Sequence, residues 1–403
     1  PCRSHRRRDP TRTKACRFGR DQALDAAPSS VRLPRAHPSG RRHRAFTVAH
    51  EPTPVTAATD RPVLDGHNDA LLRLHADESD PVTAFREGRD DGHLDLPRAR
   101  EGGLAVGLFA AFAPSTGETE PTETTEGYAY PYPDPPDPGR ARRLTYEQFA
   151  LLHRLAREVE GFRVVTDAAG LAACLDGEAV GAVPHVEGAA AVEPDLSNLD
   201  LLHAAGVRSI GPVWSRPNQF GHGVPAEFPG DPDTGPGLTD AGRDLVRACD
   251  ERGIVVDCAH LNAAGLEDVT ACSSNPLVVS HAGAHAVCPA SRNLTDQQLE
   301  LVGRSDGVVG VTFARGFLRS DGDRDADATV ETLVDHVVHV ADVAGVDCVG
   351  LGSDFDGASV PSAVGDVAGL PAVLDAVGER FSAGETRAIA ADNWHRVLRE
   401  TWT

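Results

Sequence analysis

A chain of 403 residues with 40% hydrophobic residues can bury a large core, and its length suits one big α/β domain or two smaller ones. No apolar run approaches the roughly 20 residues of a membrane span, so a soluble, cytoplasmic protein is expected. The formal charge of −21 is unevenly spread: residues 1–50 hold thirteen Lys and Arg against three Asp, leaving 26 basic against 57 acidic residues in the rest, a surface that repels phosphates and disfavours nucleic acid as a partner.

Residues 1–60 are rich in Arg, Pro, Ser and Ala and lack periodic apolar positions, so disorder is expected there. The Arg6-Arg7-Arg8 run is not followed by the apolar stretch a twin-arginine export signal needs. With no methionine in the chain, this segment is expected to be a processed or spurious leader with no part in catalysis. Lys14 is the single lysine. An acidic, lysine-poor surface fits a halophilic protein, kept soluble where salt screens self-repulsion. The eight cysteines form no C-x-x-C pair and are expected to be reduced, mostly buried thiols.

From Arg61 onward, strand-like and helix-like stretches alternate. The apolar runs are Pro62–Leu64, Leu104–Phe112, Val180–Val186, Val207–Trp214, Ile254–Cys258, Pro276–Ser280, Gly307–Phe313 and Asp347–Gly352. Amphipathic stretches lie between them, among them Thr145–Glu160, Leu238–Arg252, Leu294–Arg304 and Thr329–Ala344, two of which open on Thr-Asp start signals. Eight short apolar runs separated by helices read as βα units, and eight is the number that closes into a (β/α)₈ barrel. An open doubly wound sheet is the competitor, but no Gly-x-Gly-x-x-Gly follows the first strand. The proline-dense segment Ala113–Arg143 interrupts the pattern and is expected to be a long extended loop, lining the barrel mouth or lying on the surface.

Each strand end of interest closes on a histidine or an acid: His67 and Asp69 on the first, Glu187 on the third, His260 on the fifth, His281 on the sixth and Asp354 on the eighth. Residues i and i+2 of a strand share a face, so His67 and Asp69 can converge on one ion. Alone, each position reads as a core histidine or a solvated acid. Five strand ends in phase point instead to the catalytic face of a barrel. The donors are too many for one tetrahedral zinc and suit two metals about 3.5–4 Å apart. Imidazole and carboxylate without thiolate favour zinc, with Mn²⁺ or Co²⁺ as substitutes. His285 reads as a residue behind the ligands or in a loop, because Gly283 interrupts the helix that i+4 reach would need, and His336 and His339 as part of a solvated or packed mid-helix face.

The combination of His67-Asn68-Asp69, Val186-Glu187-Gly188, His260 and His281, Ser291-Arg292-Asn293 and Gly352-Ser353-Asp354-Phe355-Asp356-Gly357 resembles the membrane (renal) dipeptidase family of binuclear zinc peptidases. The likeness runs from about Arg61 to the C-terminus, residues 61–403, and the Ala391-Asp392-Asn393-Trp394 run fits the family's closing helix. It implies that His67 and Asp69 bind one zinc and His260 and His281 the other, with Glu187 bridging them. It further implies that Arg292 holds the dipeptide's terminal carboxylate, that Asp354 moves protons, and that the chain forms a homodimer. One position departs from the pattern: Trp214 stands where animal members carry a histidine that steadies the reacting carbonyl, with His222 close by in sequence. The expected reaction is dipeptide hydrolysis by a metal-activated water. The alternatives are a binuclear barrel hydrolase acting on a lactone or another small amide, and a non-catalytic metal-binding barrel. A carbamylated-lysine bridge is excluded, since Lys14 lies in the leader.

Overall fold

The computed structural model describes residues 61–77, 79–116 and 120–402, so the expectation of a disordered leader over residues 1–60 falls outside the described residues. Eight parallel strands form the centre: β1 (Val63–Asn68), β2 (Leu104–Phe112), β3 (Val180–Glu187), β4 (Ser209–Ile210), β5 (Val255–Val256), β6 (Val278–Ala282), β7 (Val308–Val311) and β8 (Val349–Leu351). Each lies in or across one of the eight apolar runs. Their order is β6-β7-β8-β1-β2-β3-β4-β5. A parallel bridge from Asp257 to Val278 and a hydrogen bond of 2.8 Å from Cys258 N to Val278 O bring the β5 end against β6, nearly closing an eight-stranded barrel. The expectation of a (β/α)₈ barrel therefore holds. β2 is buried on both faces along its nine residues, which explains its unbroken apolar run. β4 stops early because Pro212 has no N–H to continue a ladder.

The helices begin where their capping side chains allow. Thr239, Thr295 and Thr329 each accept a backbone N–H from the first turn of the helix that follows, and Thr295 forms a full capping box with Gln298. The helix expected from Thr145 starts earlier, at Pro138, because Asp137 accepts from Arg140 N and Pro138 fills the first helical position. The preceding insertion also differs from a plain extended loop. Thr122–Glu123 and Tyr128–Ala129 pair antiparallel, and the latter also pairs with Glu227–Phe228. The proline run itself stays free of regular structure, and the Tyr132 hydroxyl ties it to Gly223 O at 3.0 Å.

The two ends of the barrel interior differ in kind. At the amino-terminal end Leu64, Val106, Val183, Val255, Val278 and Val308, from six strands, pack in one cluster with Trp394 of the closing helix Asn393–Thr401. Gly66 and Gly350 make room for that indole, since a Cβ at either would lie 2.3 Å from it. Apolar packing thus seals one end, and the polar residues gather at the other.

Candidate metal centre

His67 lies within β1, and Asp69 follows β1 at the start of the helix Ala70–Ala76. Glu187 is the last residue of β3, His281 lies within β6, and His260 and Asp354 follow β5 and β8. The parallel strands deliver all six to one rim. His67, Asp69, Glu187, His260 and His281 are each buried.

Glu187 is central: its Oε1 lies 2.8 Å from His260 Nε2, 3.8 Å from His67 Nε2 and 3.9 Å from His281 Nε2. His67 Nε2 is also 3.3 Å from Asp69 Oδ2, and the Nε2 atoms of His260 and His281 are 3.0 Å apart. Donor atoms of His67, Glu187 and His281 all lie within 4.8 Å of one another, as do those of His67, Asp69 and Asp354. His67 belongs to both groups, so the two clusters adjoin. The far nitrogens of two rings are anchored, His260 Nδ1 to Ser215 Oγ and His281 Nδ1 to Ser280 Oγ, each at 2.9 Å, which leaves both Nε2 atoms facing Glu187.

The electrostatics of the cluster call for positive charge. Burial works against a charged ring at His67, but Glu187, Asp69 and Asp354 outweigh it and push the imidazole up to about 10. Burial, reinforced by Asp69, raises Glu187 well above the usual carboxylate range. Burial pushes Asp354 up to about 7, against the pull of His67. His260 and His281 are held well below the ordinary histidine value, first by burial and then by neighbouring cations, so each neutral ring offers one nitrogen lone pair. Asp69 Oδ1 is buried without a hydrogen-bond partner. Carboxylate and imidazole donors, dry and crowded, with an unmatched oxygen among them, fit divalent ions of the zinc type.

Arg292 reaches the same rim. It is 5% exposed, donates from NH1 to Ala259 O and lies with its guanidinium 5.8 Å from the Phe317 ring. Burial lowers it to about 10, opposed by Asp354 and Glu187. Trp214 stands beside the cluster, its ring 5.7 Å from His260 and 5.1 Å from Phe112. The segment carrying His222 runs alongside, with Val224 N on His260 O at 2.9 Å. His285 lies apart from the cluster with its Nε2 on Gly230 O, as a loop residue should. His336 is a packed core residue and His339 pairs with Asp296 at 2.7 Å.

Sequence reasoning missed Arg216, although it follows Trp214 by two residues. It is buried, donates to Ala113 O and to Ser115 Oγ at 2.7 Å, and places its guanidinium 4.9 Å from Trp214 and 5.4 Å from Phe112. It thereby ties the start of the insertion to the wall of the site. An arginine two residues beyond the apolar run that ends at Trp214 was the available signal.

Comparison with known proteins agrees with this geometry. A family model described as "Membrane dipeptidase (Peptidase family M19)" matches residues 55–403. A crystal structure of a metallo peptidase from Rhodobacter sphaeroides, liganded with a phosphinate mimic of the dipeptide L-Ala-D-Ala, superposes with a TM-score of 0.80 at 42% identity, covering 85% of this chain and 99% of that one. The structure of a dipeptidase AC of the same peptidase family gives the same TM-score and coverage at 43% identity. An uncharacterized protein from the PQQ-III 3′ region of Acinetobacter calcoaceticus is 39% identical over 282 residues, 70% of this chain and 89% of that protein. A barrel whose rim gathers three histidines and three acids, matched over nearly its whole described length, belongs to the membrane dipeptidase family of metallopeptidases.

Proposed function

We propose that this metallo-dipeptidase works with two divalent ions, zinc foremost with Mn²⁺ or Co²⁺ as substitutes, held by His67, Asp69, Glu187, His260 and His281. The single observation that carries the reading is the position of Glu187 Oε1, within 3.9 Å of three histidine Nε2 atoms. When bound, the ions would supply Lewis acidity, polarising the scissile carbonyl and lowering the pKa of the attacking water towards about 7. Asp354 takes the proton of that water and returns it to the departing amine. Its raised carboxyl suits both directions of transfer near neutral pH. Arg292 pairs with the terminal carboxylate of the dipeptide, a geometry for which a guanidinium is suited. Trp214 and Phe112 form the adjoining wall, where the indole supplies bulk and no imidazole; His222, on the segment beside His260, is our candidate for the carbonyl contact.

The substrates we favour are dipeptides of the L-Ala-D-Ala kind, since the Rhodobacter neighbour was liganded with a mimic of that dipeptide. The test is a dipeptide panel assayed before and after chelation, with metal content measured on the same protein. Cleavage that stops on chelation and returns with zinc is expected; metal-loaded protein that cleaves no dipeptide overturns the reading. A homodimer is proposed on family resemblance alone. A cytoplasmic setting is supported by the free thiols of Cys174, Cys249, Cys258, Cys272, Cys288 and Cys348. Among the described residues no helix is long and apolar enough to cross a membrane.

A further inference from the structure

Beneath the rim of donors lie two aspartates outside both candidate metal clusters, Asp65 in β1 and Asp257 directly after β5. Both are buried, and a buried carboxylate is costly unless its lone pairs are satisfied. Each is satisfied in the same way. Asp65 Oδ1 accepts from Ser353 N at 2.7 Å and its Oδ2 from the Ser353 hydroxyl at 2.9 Å. Asp257 Oδ1 accepts from Ser280 N at 2.8 Å and its Oδ2 from the Ser280 hydroxyl at 2.6 Å. The register repeats as well. Asp65 is paired with Leu351 and Asp257 with Val278, so in both places the serine gripped lies two residues beyond the aspartate's ladder partner. In both places the next residue is functional: Asp354 after Ser353, and His281 after Ser280.

We infer that Asp65 and Asp257 are positioning residues, a carboxylate–serine clamp used twice to set Asp354 and His281 at the rim. What His281 does rests on the metal-centre reading above; how it is held rests on geometry alone.

The Asp257 clamp has a direction. A carboxylate oxygen only accepts, so the Ser280 hydroxyl donates to Asp257, and its oxygen is left to accept from His281 Nδ1 at 2.9 Å. His281 is thereby fixed as the Nδ1–H tautomer, with the Nε2 lone pair aimed at Glu187. The ring of His185 stands 3.5 Å from the same Asp257 oxygen and bonds through Nδ1 to Ser209 Oγ at 2.9 Å. The Asp65 clamp fixes backbone. The Ser353 hydroxyl also contacts His67 O at 3.1 Å and accepts from Phe355 N at 3.1 Å, enclosing Asp354 from both sides. Asp354 sits at a φ of 61°, a conformation that costs a non-glycine residue energy and persists where neighbours impose it.

The test compares D257N, S280A and D65N by cobalt titration, read from the ligand-field spectrum. Asparagine keeps the shape of the aspartate, but its amide donates to the Ser280 oxygen and turns the hydroxyl towards His281 Nδ1. That leaves the proton on Nε2, where it blocks the donor. D257N is therefore expected to weaken cobalt binding about 10- to 100-fold, and more than S280A, which merely frees the ring. A purely structural aspartate gives the opposite ranking, because the isosteric change is the milder one. D65N is expected to leave cobalt affinity intact while lowering kcat at unchanged KM. Cobalt binding by D257N that equals the parent's, or exceeds that of S280A, overturns the inference. A second measurement needs no metal and none of the clamp variants: ¹⁵N-histidine NMR of the metal-free parent, with the His281 signals assigned by difference from H281Q. An Nδ1–H tautomer at His281 supports the clamp and an Nε2–H tautomer overturns it. A parent that binds no cobalt counts against the metal-centre reading instead.

Discussion

Asp354 combines two properties that rarely meet in one side chain: a left-handed backbone at φ 61° and a carboxyl pushed up to about 7, first by burial. Its proton-transfer role is separable from the cluster of His67, Glu187 and His281, which does not include it, and asparagine would still offer an oxygen to the adjoining group with His67 and Asp69. D354N is expected to keep the parent's metal content and lose about 10²-fold or more in kcat, the scale of general acid–base catalysis; metal analysis with steady-state kinetics checks both. Arg292 is expected to act on binding rather than turnover. R292K keeps the charge and loses the planar fork, so KM for a dipeptide should rise roughly 10- to 100-fold, the worth of a charged hydrogen bond, with metal content unchanged. The rim residues were legible in the sequence because each interrupts or ends an apolar run with a donor side chain. Arg216, Ser215, Asp65 and Asp257 were not, since their importance lies in partners far along the chain: Arg216 bonds to Ala113, 103 positions away, and Ser353 to Asp65, 288 positions away.

The helix Val330–Ala344 shows how an element can be legible in outline and opaque in detail. Its apolar period and its span from Thr329 to Ala344 were plain, but nothing in the sequence revealed that His336 is a fastener. Its Nδ1 accepts from Ala284 N at 2.8 Å, just beyond the β6 strand that carries His281, and its Nε2 donates to Leu318 O at 3.0 Å. That pattern requires a neutral ring, and burial pushes His336 down to about 4. An unfolded histidine takes its proton near 6.5, so between those values the unfolded chain binds more protons than the folded one. The stability this ring contributes is whole above about pH 6.5 and drains away as pH falls towards 4, by roughly 3 kcal/mol at most. Urea denaturation of the parent and of H336Q across that window checks it: the variant should be less stable at pH 7 and show the shallower pH slope. The insertion after β2 is the opposite case. Its prolines correctly ruled out regular structure along their own run, yet Asp137-Pro138 is a helix start, and the two-residue strands nearby are too short to leave a period.

For the molecule as a whole, eight apolar runs were enough to count the barrel strands, because parallel strands buried on both faces need continuous apolar sequence; the short ninth strand of the sheet, Phe162–Val164 beside residues 180–182, lies in none of those runs. Closure was expected from the eight runs alone; the contact that nearly makes it, Asp257 meeting Val278 across the last gap, was not legible. The acidic composition carries its own expectation: if self-repulsion limits stability, the urea midpoint should rise from low to molar salt, and an unchanged midpoint removes the halophilic reading. Metal removal asks more of the fold. Burial, Asp69 and Asp354 raise the cost of ionising Glu187, burial and Asp69 that of Asp354, and the donors around them come from β1, β3, β5 and β6. A cation that binds this arrangement and not the unfolded chain stabilises it by about 2.7 kcal/mol at a hundredfold excess over Kd. At roughly 2–4 °C per kcal/mol for a domain approaching this size, chelation should lower Tm by about 5–10 °C. Zinc should restore it. D354N, which keeps the donors around Glu187, should show the full shift, whereas H281Q should show a smaller one. A Tm that stays put after the loss of metal has been verified would mean that the rim holds its shape without the cation its charges call for.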